Sequence, residues 1–186
     1  FILEFNSAGV RVYATHYGGS GYDRGMSICT DLTDNIFITG YTSSLNFPVQ
    51  NAGNGAYFQP LKSGLSDAFI SKFSPTGVLD WSTYYGGSGL EAIDKPTWDN
   101  IVIDPCNNVY VSFTTISGDV FTQPPCNGGF YDNTSNNMLD IFIVKFNNAG
   151  ILLWATYFGG GGKDFRNALA VDKDGNFYIA GEWSMI

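Results

Sequence analysis

Histidine occurs once in the 186 residues, at His16, and cysteine three times. A single histidine excludes a histidine-based metal site, and no Ser-His-Asp signature or phosphate loop can be found. Lys and Arg together number nine against seventeen Asp and Glu, a net charge of −8, and they do not cluster. Nucleic acid and anionic membrane surfaces call for a positive footprint that this chain lacks. Charged residues make up only 14% of the chain, and no apolar run approaches the ~18 residues of a spanning helix. A helical period is absent beyond single turns, and no signal-like segment opens the chain. What is abundant is aromatic and glycine: 15 Phe, 11 Tyr, 4 Trp and 23 Gly. That composition suits β-strands separated by tight turns.

The strongest feature is internal repetition. Phe1-Ile-Leu-Glu-Phe5, Phe69-Ile-Ser-Lys-Phe73 and Phe142-Ile-Val-Lys-Phe146 are three copies of one segment. Each is followed by a small-residue–Gly turn and then by Tyr13-Ala-Thr-His-Tyr-Gly-Gly19, Trp81-Ser-Thr-Tyr-Tyr-Gly-Gly87 or Trp154-Ala-Thr-Tyr-Phe-Gly-Gly160. A third segment recurs at Asp31–Gly40, Asp104–Phe113 and Asp172–Gly181. Gly18 to Gly86 is 68 residues and Gly86 to Gly159 is 73; Asp31 to Asp104 is 73 and Asp104 to Asp172 is 68. A 68-residue unit with one five-residue insertion between Glu91 and Asp104 accounts for both series.

Each unit reads as four short strands. The first covers Met26–Asp31, Asn100–Asp104 or Ala168–Asp172, and its apolar character predicts burial on both faces. The second covers Ile36–Thr39, Val109–Ser112 or Phe177–Ala180, after a turn rich in Asn and Asp. The Phe-Ile-x-x-Phe and aromatic-Thr-aromatic segments are the third and fourth. Four antiparallel strands repeated at this length predict an all-β fold, a β-propeller of four-stranded blades. The chain then divides into the second half of a blade (1–22), a full blade (23–87), a full blade with inserted residues (88–160) and the first half of a blade (161–186). Three blade-equivalents fall short of the usual four to eight. Either the chain is a window from a larger one, the favoured expectation because Phe1 is not a translational start, or copies join into a ring.

Asp172-Lys-Asp-Gly-Asn-Phe-Tyr-Ile-Ala-Gly181, Thr42-Ser-Ser-Leu-Asn-Phe-Pro48, Asp67-Ala-Phe-Ile-Ser-Lys-Phe73, Gly77 and Trp81-Ser-Thr-Tyr-Tyr-Gly-Gly87 resemble the units of the bacterial SBBP β-propeller repeat family. The resemblance spans essentially the whole chain. It implies a secreted or cell-surface protein, often very large and adhesive, and transfers no catalytic constellation. Phe113 departs from the pattern where the family has Gly, Ser117–Asn137 lacks the Phe-Pro match, and Glu4 stands where Lys72 and Lys145 stand.

Candidate chemistry concentrates in the loops 41–66 and 114–139, long enough to be functional. Tyr57, Phe58, Phe121, Phe130 and Tyr131 lie there beside Asn, Gly and Gln, a mixture suited to stacking on glycans or on a surface protein; packing of the loops onto the blades is the competing reading. Asp172 with Lys173-Asp-Gly-Asn176 is part of a calcium-loop pattern, but a hairpin turn explains it without a cation. Asp67 and Asp140, and Asp23, Glu91 and Asp164, recur at fixed blade positions. Recurrence points to structure, through backbone N–H groups or pairing with Lys72 and Lys145, rather than catalysis. His16 aligns with Tyr84 and Tyr157 and is expected to replace a packing aromatic. Cys29 reads as a small buried residue. Cys106 and Cys126, unmatched in other units, are expected to form a disulfide worth about 3 kcal/mol. The expected function is a non-catalytic extracellular module for adhesion or scaffolding. Its partners would be other blades, copies of itself, glycans or surface proteins. A carbohydrate-binding propeller is the alternative and a polysaccharide-active enzyme a remoter one.

Overall fold

A computed structural model describes residues 1–91, 100–136 and 138–183. Twelve strands form among them: β1 (Ile2–Phe5), β2 (Arg11–Thr15), β3 (Asp23–Thr30), β4 (Ile36–Thr42), β5 (Asp67–Phe73), β6 (Leu79–Tyr85), β7 (Asn100–Ile103), β8 (Val109–Thr115), β9 (Asp140–Phe146), β10 (Leu152–Phe158), β11 (Asp164–Val171) and β12 (Phe177–Trp183). Two four-stranded antiparallel meanders, β3-β4-β5-β6 and β7-β8-β9-β10, are complete blades. The pairs β1-β2 and β11-β12 are half-blades, the first holding strands three and four, the second strands one and two. This is the all-β propeller architecture expected. Of the stretch between Glu91 and Asp104 to which the five-residue insertion is assigned, 92–99 lie outside the described residues.

The blades repeat in register as well as in sequence. Ile36 faces Phe73 and Thr42 faces Asp67 across β4–β5, and Val109 faces Phe146 and Thr115 faces Asp140 across β8–β9. First strands β3, β7 and β11 lie beside one another from blade to blade, so they form the inner end of each blade. Strand one begins three or four residues earlier than anticipated in β3 and β11, and it is not doubly buried. In β3 half-buried and exposed positions mix and none is buried, whereas every residue of β4 and β8 is buried. The inner strand has blades on its flanks but an open axis at its edge, so in the complete blades only strand two is covered throughout, and strand three is covered except at its lysine.

The core lies between blades, because alternate residues of a strand point to opposite faces. On β5, Phe69 and Phe73 face the first half-blade and pack with Ile2, Ile36 and Ile38. Ala68 and Ile70 face the other way, into a cluster shared with Val144, Phe146 and Phe142 of the next blade. An aromatic at the end of strand four inserts into the strand-three pair of the blade that follows. Tyr17 sits edge-on to Phe69 and Phe73, at 6.1 and 4.9 Å between ring centroids. Tyr85 takes the same place against Phe142 and Phe146, at 5.8 and 6.1 Å.

A second device locks blade to blade. The hairpin between strands three and four turns at a glycine with φ of +78° at Gly77 and +81° at Gly150. A side chain at Gly77 would come within 3.1 Å of the Tyr13 ring, and one at Gly150 within 3.4 Å of the Trp81 ring. Glycine is needed there both for its left-handed backbone and for the close approach. Trp81 is consequently buried and donates from Nε1 to the Asn148 carbonyl at 3.3 Å. Trp154 is only half-buried and donates instead to the Phe130 carbonyl at 2.9 Å. The difference is positional, since β11-β12 carries no strand-three hairpin to cover it.

Candidate functional site

The two long loops do not splay outward. Each doubles back along the outer edge of its blade and adds backbone hydrogen bonds to strand four. Gln50 pairs with Ser82 and Gln59 with Tyr84 on β6. In the next blade Gln123 pairs with Ala155, and the Asp132 carbonyl accepts the Tyr157 N–H at 3.0 Å. The side chains of Gln50 and Gln123 cap carbonyls at the start of strand four, on Asp80 at 2.8 Å and Leu152 at 2.9 Å. The edge strand is thereby covered, which removes a template for unwanted pairing.

The loop aromatics part company on this scaffold. Tyr57 is half-buried and braces the junction between the complete blades, 4.7 Å from the Tyr85 ring and 5.7 Å from the Phe121 ring. Burial pushes its phenol well above the ordinary tyrosine range, with Asp67 adding to the rise, so this hydroxyl stays protonated. Phe58 is also half-buried. Phe121, Phe130 and Tyr131 are open to solvent, Phe130 at 59% and Phe121 at 53%. Tyr131 hydrogen-bonds Thr122 at 2.9 Å, which ties the outgoing limb of the loop to the returning one. Phe130 rests edge-on against Phe158 at 5.9 Å. The aromatic set anticipated as one surface is thus a packed pair, Tyr57 and Phe58, and an exposed group, Phe121, Phe130 and Tyr131.

The recurring carboxylates all serve the blade framework. Asp23 accepts the Gly19 N–H at 2.7 Å and Asp164 the Gly160 N–H at 2.8 Å, closing the Gly-Gly turn that leads from one blade to the next. Asp67 accepts the backbone N–H groups of Ser63 and Gly64 and the Gln59 amide. Their pairing with lysine is not what forms: Lys72 lies 3.5 Å from Asp80 and donates to Asn148 at 2.7 Å, and Lys145 lies 3.8 Å from Asp104. Lysine on strand three projects toward the hairpin end of the blade, whereas Asp67 and Asp140 start that strand at the opposite end. Glu91 is wholly buried, accepting from Thr115 at 2.8 Å and from Ser117. Burial raises its carboxyl to about 7 against those hydroxyl bonds, and Asp67 nearby adds to the rise.

Asp31, Asp104 and Asp172 begin the turns between strands one and two and gather at one mouth of the axis. Each carboxylate turns back on its own hairpin. Asp172 accepts the N–H groups of Asp174 and Asn176 at 2.9 Å each and the Asn176 amide at 2.8 Å. Asp31 and Asp104 repeat the pattern with Asn35 and Asn108. A hairpin turn, with Asp34, Asn107 and Gly175 at positive φ, accounts for these donors and acceptors. Among the described residues, no three metal-ligating side chains come together.

Two expectations are corrected. Cys106 and Cys126 are exposed free thiols, not a disulfide. The loop bearing Cys126 does fold back, but it does so outside β10, three strand spacings or ~14 Å from the β8 side of the sheet. Bridged cysteines need Cα atoms within about 7 Å. His16 is exposed instead of packed, although its counterparts Tyr84 and Tyr157 are fully buried. Those tyrosines are covered by the long loop of their own blade, to which they donate at Ser44 and Ser117, and the β1-β2 half-blade has no such loop. Cys29 is half-buried against the core, and burial lifts its thiol to about 12.

The geometry agrees with what the chain resembles by comparison. A family model described as a beta-propeller repeat, SBBP, matches residues 12–48 and 153–182. Both stretches run from strand four of one blade through strands one and two of the next. A relative, an uncharacterized WD repeat-containing protein of Acanthamoeba polyphaga mimivirus, is 26% identical over 166 residues. The match takes in 86% of this chain but only 12% of that protein, so the chain spans about an eighth of its relative's length.

Proposed function

We propose that this chain is a non-catalytic interaction module of a larger propeller protein that works outside the cell in adhesion or scaffolding. It engages a surface protein through the loop-bearing outer edge of the second complete blade. The supporting observation is the exposed group Phe121, Phe130 and Tyr131, held on a loop that is hydrogen-bonded to β10 and therefore presented without a large ordering cost. Exposed aromatics on a rigid support are typical anchors of protein interfaces. The carboxylates favour the non-catalytic reading, since each blade uses them in like positions for like structural bonds. Match to a propeller repeat and to a WD-repeat relative fits an interaction role in general. The extracellular setting rests on the resemblance of the repeat units to those of secreted and surface proteins.

The same aromatics beside Thr122, Asp132 and Thr134 would also suit stacking against sugar rings. Parallel arrays of surface proteins and of glycans, probed with the chain and with a Phe130→Ala/Tyr131→Ala variant, separate the two readings. A protein ligand lost by at least tenfold in the variant, with unchanged thermal stability, is the expected result. Binding to glycans alone establishes the second reading. Binding that is indifferent to both substitutions removes this edge from consideration.

A further inference from the structure

Of the asparagines in the chain, Asn133 alone stands two residues before a serine or threonine, in Asn133-Thr134-Ser135. This is the acceptor pattern for an N-linked sugar, which calls for an exposed loop. It lies on the returning limb of the long loop outside β10. The backbone is fixed there, since Asp132 receives the Tyr157 N–H at its carbonyl and gives its own N–H to the Thr156 hydroxyl at 2.8 Å. The neighbouring side chains are committed to the loop. Asp132 Oδ1 accepts from the N–H and the hydroxyl of Thr134, at 2.9 and 2.6 Å, and the Asn136 amide donates to the Gly162 carbonyl at 3.0 Å. Asn133 is exposed and, among the described residues, its amide makes no hydrogen bond.

The exposure of Asn133 is a property of its place in the blade. Gln50 to Gln123 and Asp67 to Asp140 are each 73 residues, so the two long loops align without a gap and Pro60 is the counterpart of Asn133. Pro60 is exposed although the blade that follows it is complete. A neighbouring blade therefore leaves this point of the limb open. Phe58, the counterpart of Tyr131, is half-buried in the same complete junction, so part of that ring also stays in reach of solvent.

We propose that Asn133 is a site of N-linked glycosylation and that the first sugar packs on the Tyr131 ring. Residues 131 and 133 alternate about Asp132, which is bonded to β10, and alternate residues of an extended segment share a side. Tyr131 is 37% exposed and its hydroxyl is tied to Thr122 at 2.9 Å, so its ring is a fixed apolar platform for the C–H face of a sugar. In the transfer the Asn133 Nδ2 forms a bond to the anomeric carbon of a lipid-linked oligosaccharyl pyrophosphate. The bond from that carbon to the pyrophosphate oxygen breaks, the lipid pyrophosphate leaves with the electron pair, and the amide gives up one proton. The Ser135 hydroxyl, which the transferring enzyme reads, donates to Asp140 at 2.6 Å in the folded blade. Transfer thus precedes closure of the loop onto β9, and the finished fold leaves the modified amide in solvent. The proposal rests on the extracellular reading above, because such transfer occurs in the secretory lumen. It also deepens that reading: Tyr131 belongs to the edge assigned to a surface protein, and a sugar seated on it controls access to that edge.

The test is glycopeptide mapping of the full protein, secreted from eukaryotic cells behind an added signal peptide. The expected result is a glycan at Asn133 that is lost in Asn133→Gln and in Ser135→Ala and kept in Ser135→Thr. Asn133→Gln carries the assignment, because that side chain bonds nothing in the fold. On the native glycoprotein, a glycosidase that cuts the sugar–asparagine bond should act about three- to tenfold faster in Tyr131→Ala than in the parent. Thr122→Val, which removes the Tyr131 bond and keeps the ring, should leave the rate unchanged, and denaturation should erase the difference. Protein recovered from the medium with Asn133 bare would overturn the site. Equal release from the parent and Tyr131→Ala would overturn the seat of the sugar. Confinement of the native protein to the cytosol, seen by immunolocalisation, would instead defeat the extracellular reading on which the proposal rests.

Discussion

The two complete blades share one meander and one register, yet they hold the carboxylate at their leading turn differently. Asp164, which opens the blade after the second, accepts the Gly160 N–H through a short side chain. Asp23 spreads its two oxygens over Thr42, Ser44 and the Gly19 N–H. Glu91 has one methylene more. Thr115 and Ser117 both donate to its Oε1, and Oε2 is turned toward Gly86 and the Asp67 side chain. The added carbon leaves Thr115 and Ser117 on one oxygen and turns the other toward Asp67, a like charge in a buried space. Burial there raises the Glu91 carboxyl in spite of its donors.

The largest effect should come from the aromatic that joins the complete blades. Tyr85→Ala removes a fully buried ring set among Phe113, Phe142 and Phe146, and should cost about 3–5 kcal/mol. Tyr17→Ala, at the junction with the half-blade, should cost less, because Tyr17 is only half-buried. Denaturation midpoints of the two variants compare the junctions directly. Equal losses would mean that the half-blade is held as firmly as a whole one.

Glu91→Gln comes next and sharpens the contrast between blades. The carboxyl rises from 4.5 to about 7 on folding, so its contribution is complete below pH 4.5 and is lost as pH climbs toward 7. The shift corresponds to about 3 kcal/mol. Glutamine keeps the oxygen that Thr115 and Ser117 bond and carries no charge toward Asp67. The variant should match the parent near pH 4.5 and exceed its stability above pH 7, as read from melting temperatures across that range.

Asp31 supplies the opposite slope. Burial works against its ionised form, but bonds from Asn35, Asn148 and Thr33 outweigh that and hold the carboxyl well below the ordinary range. A lowered carboxyl stabilises the fold above its ordinary value of 3.8, and that stability fades as pH falls. Asp31→Ala should cost about 1–3 kcal/mol at neutral pH, the expense of stranding its donors, with the difference narrowing in acid. Together with Glu91 it places the parent's optimum in the mildly acidic range.

The repeat made most of this architecture legible. Spacing alone located both meanders, the hairpin glycines and the recurrent aspartates, because each is a local demand repeated once per blade. Burial between blades was harder to read. Strand one looks as apolar as strand two, yet only the latter is fully covered, a matter of distance from the axis that no local pattern records. The loops misled for the same reason. Gln50 and Gln123, 73 residues apart and each set to cap strand four, were the available sign that the loops run back along an edge and so bury Tyr57. Glu91 could be aligned with Asp23 and Asp164, but its charge state depends on which way one additional carbon points its oxygens.

The smallest expected effect concerns the cysteines, and it tests the edge-bound course of the loop. Cys106 sits in the turn between β7 and β8 and Cys126 at the tip of the loop outside β10, both exposed. Alkylation of the native chain should modify these two quickly and Cys29 slowly, because Cys29 is half-buried and its thiol is raised to about 12 by burial and by Asp31. Intact mass should be the same with and without reductant, and Cys106→Ser/Cys126→Ser should melt within about 1 kcal/mol of the parent, as exposed substitutions do. A two-dalton gain on reduction would require Cys126 to cross three strands to reach Cys106. The loop would then have to abandon its hydrogen bonds to Ala155 and Leu152, and the covered outer edge of the second blade would be wrong.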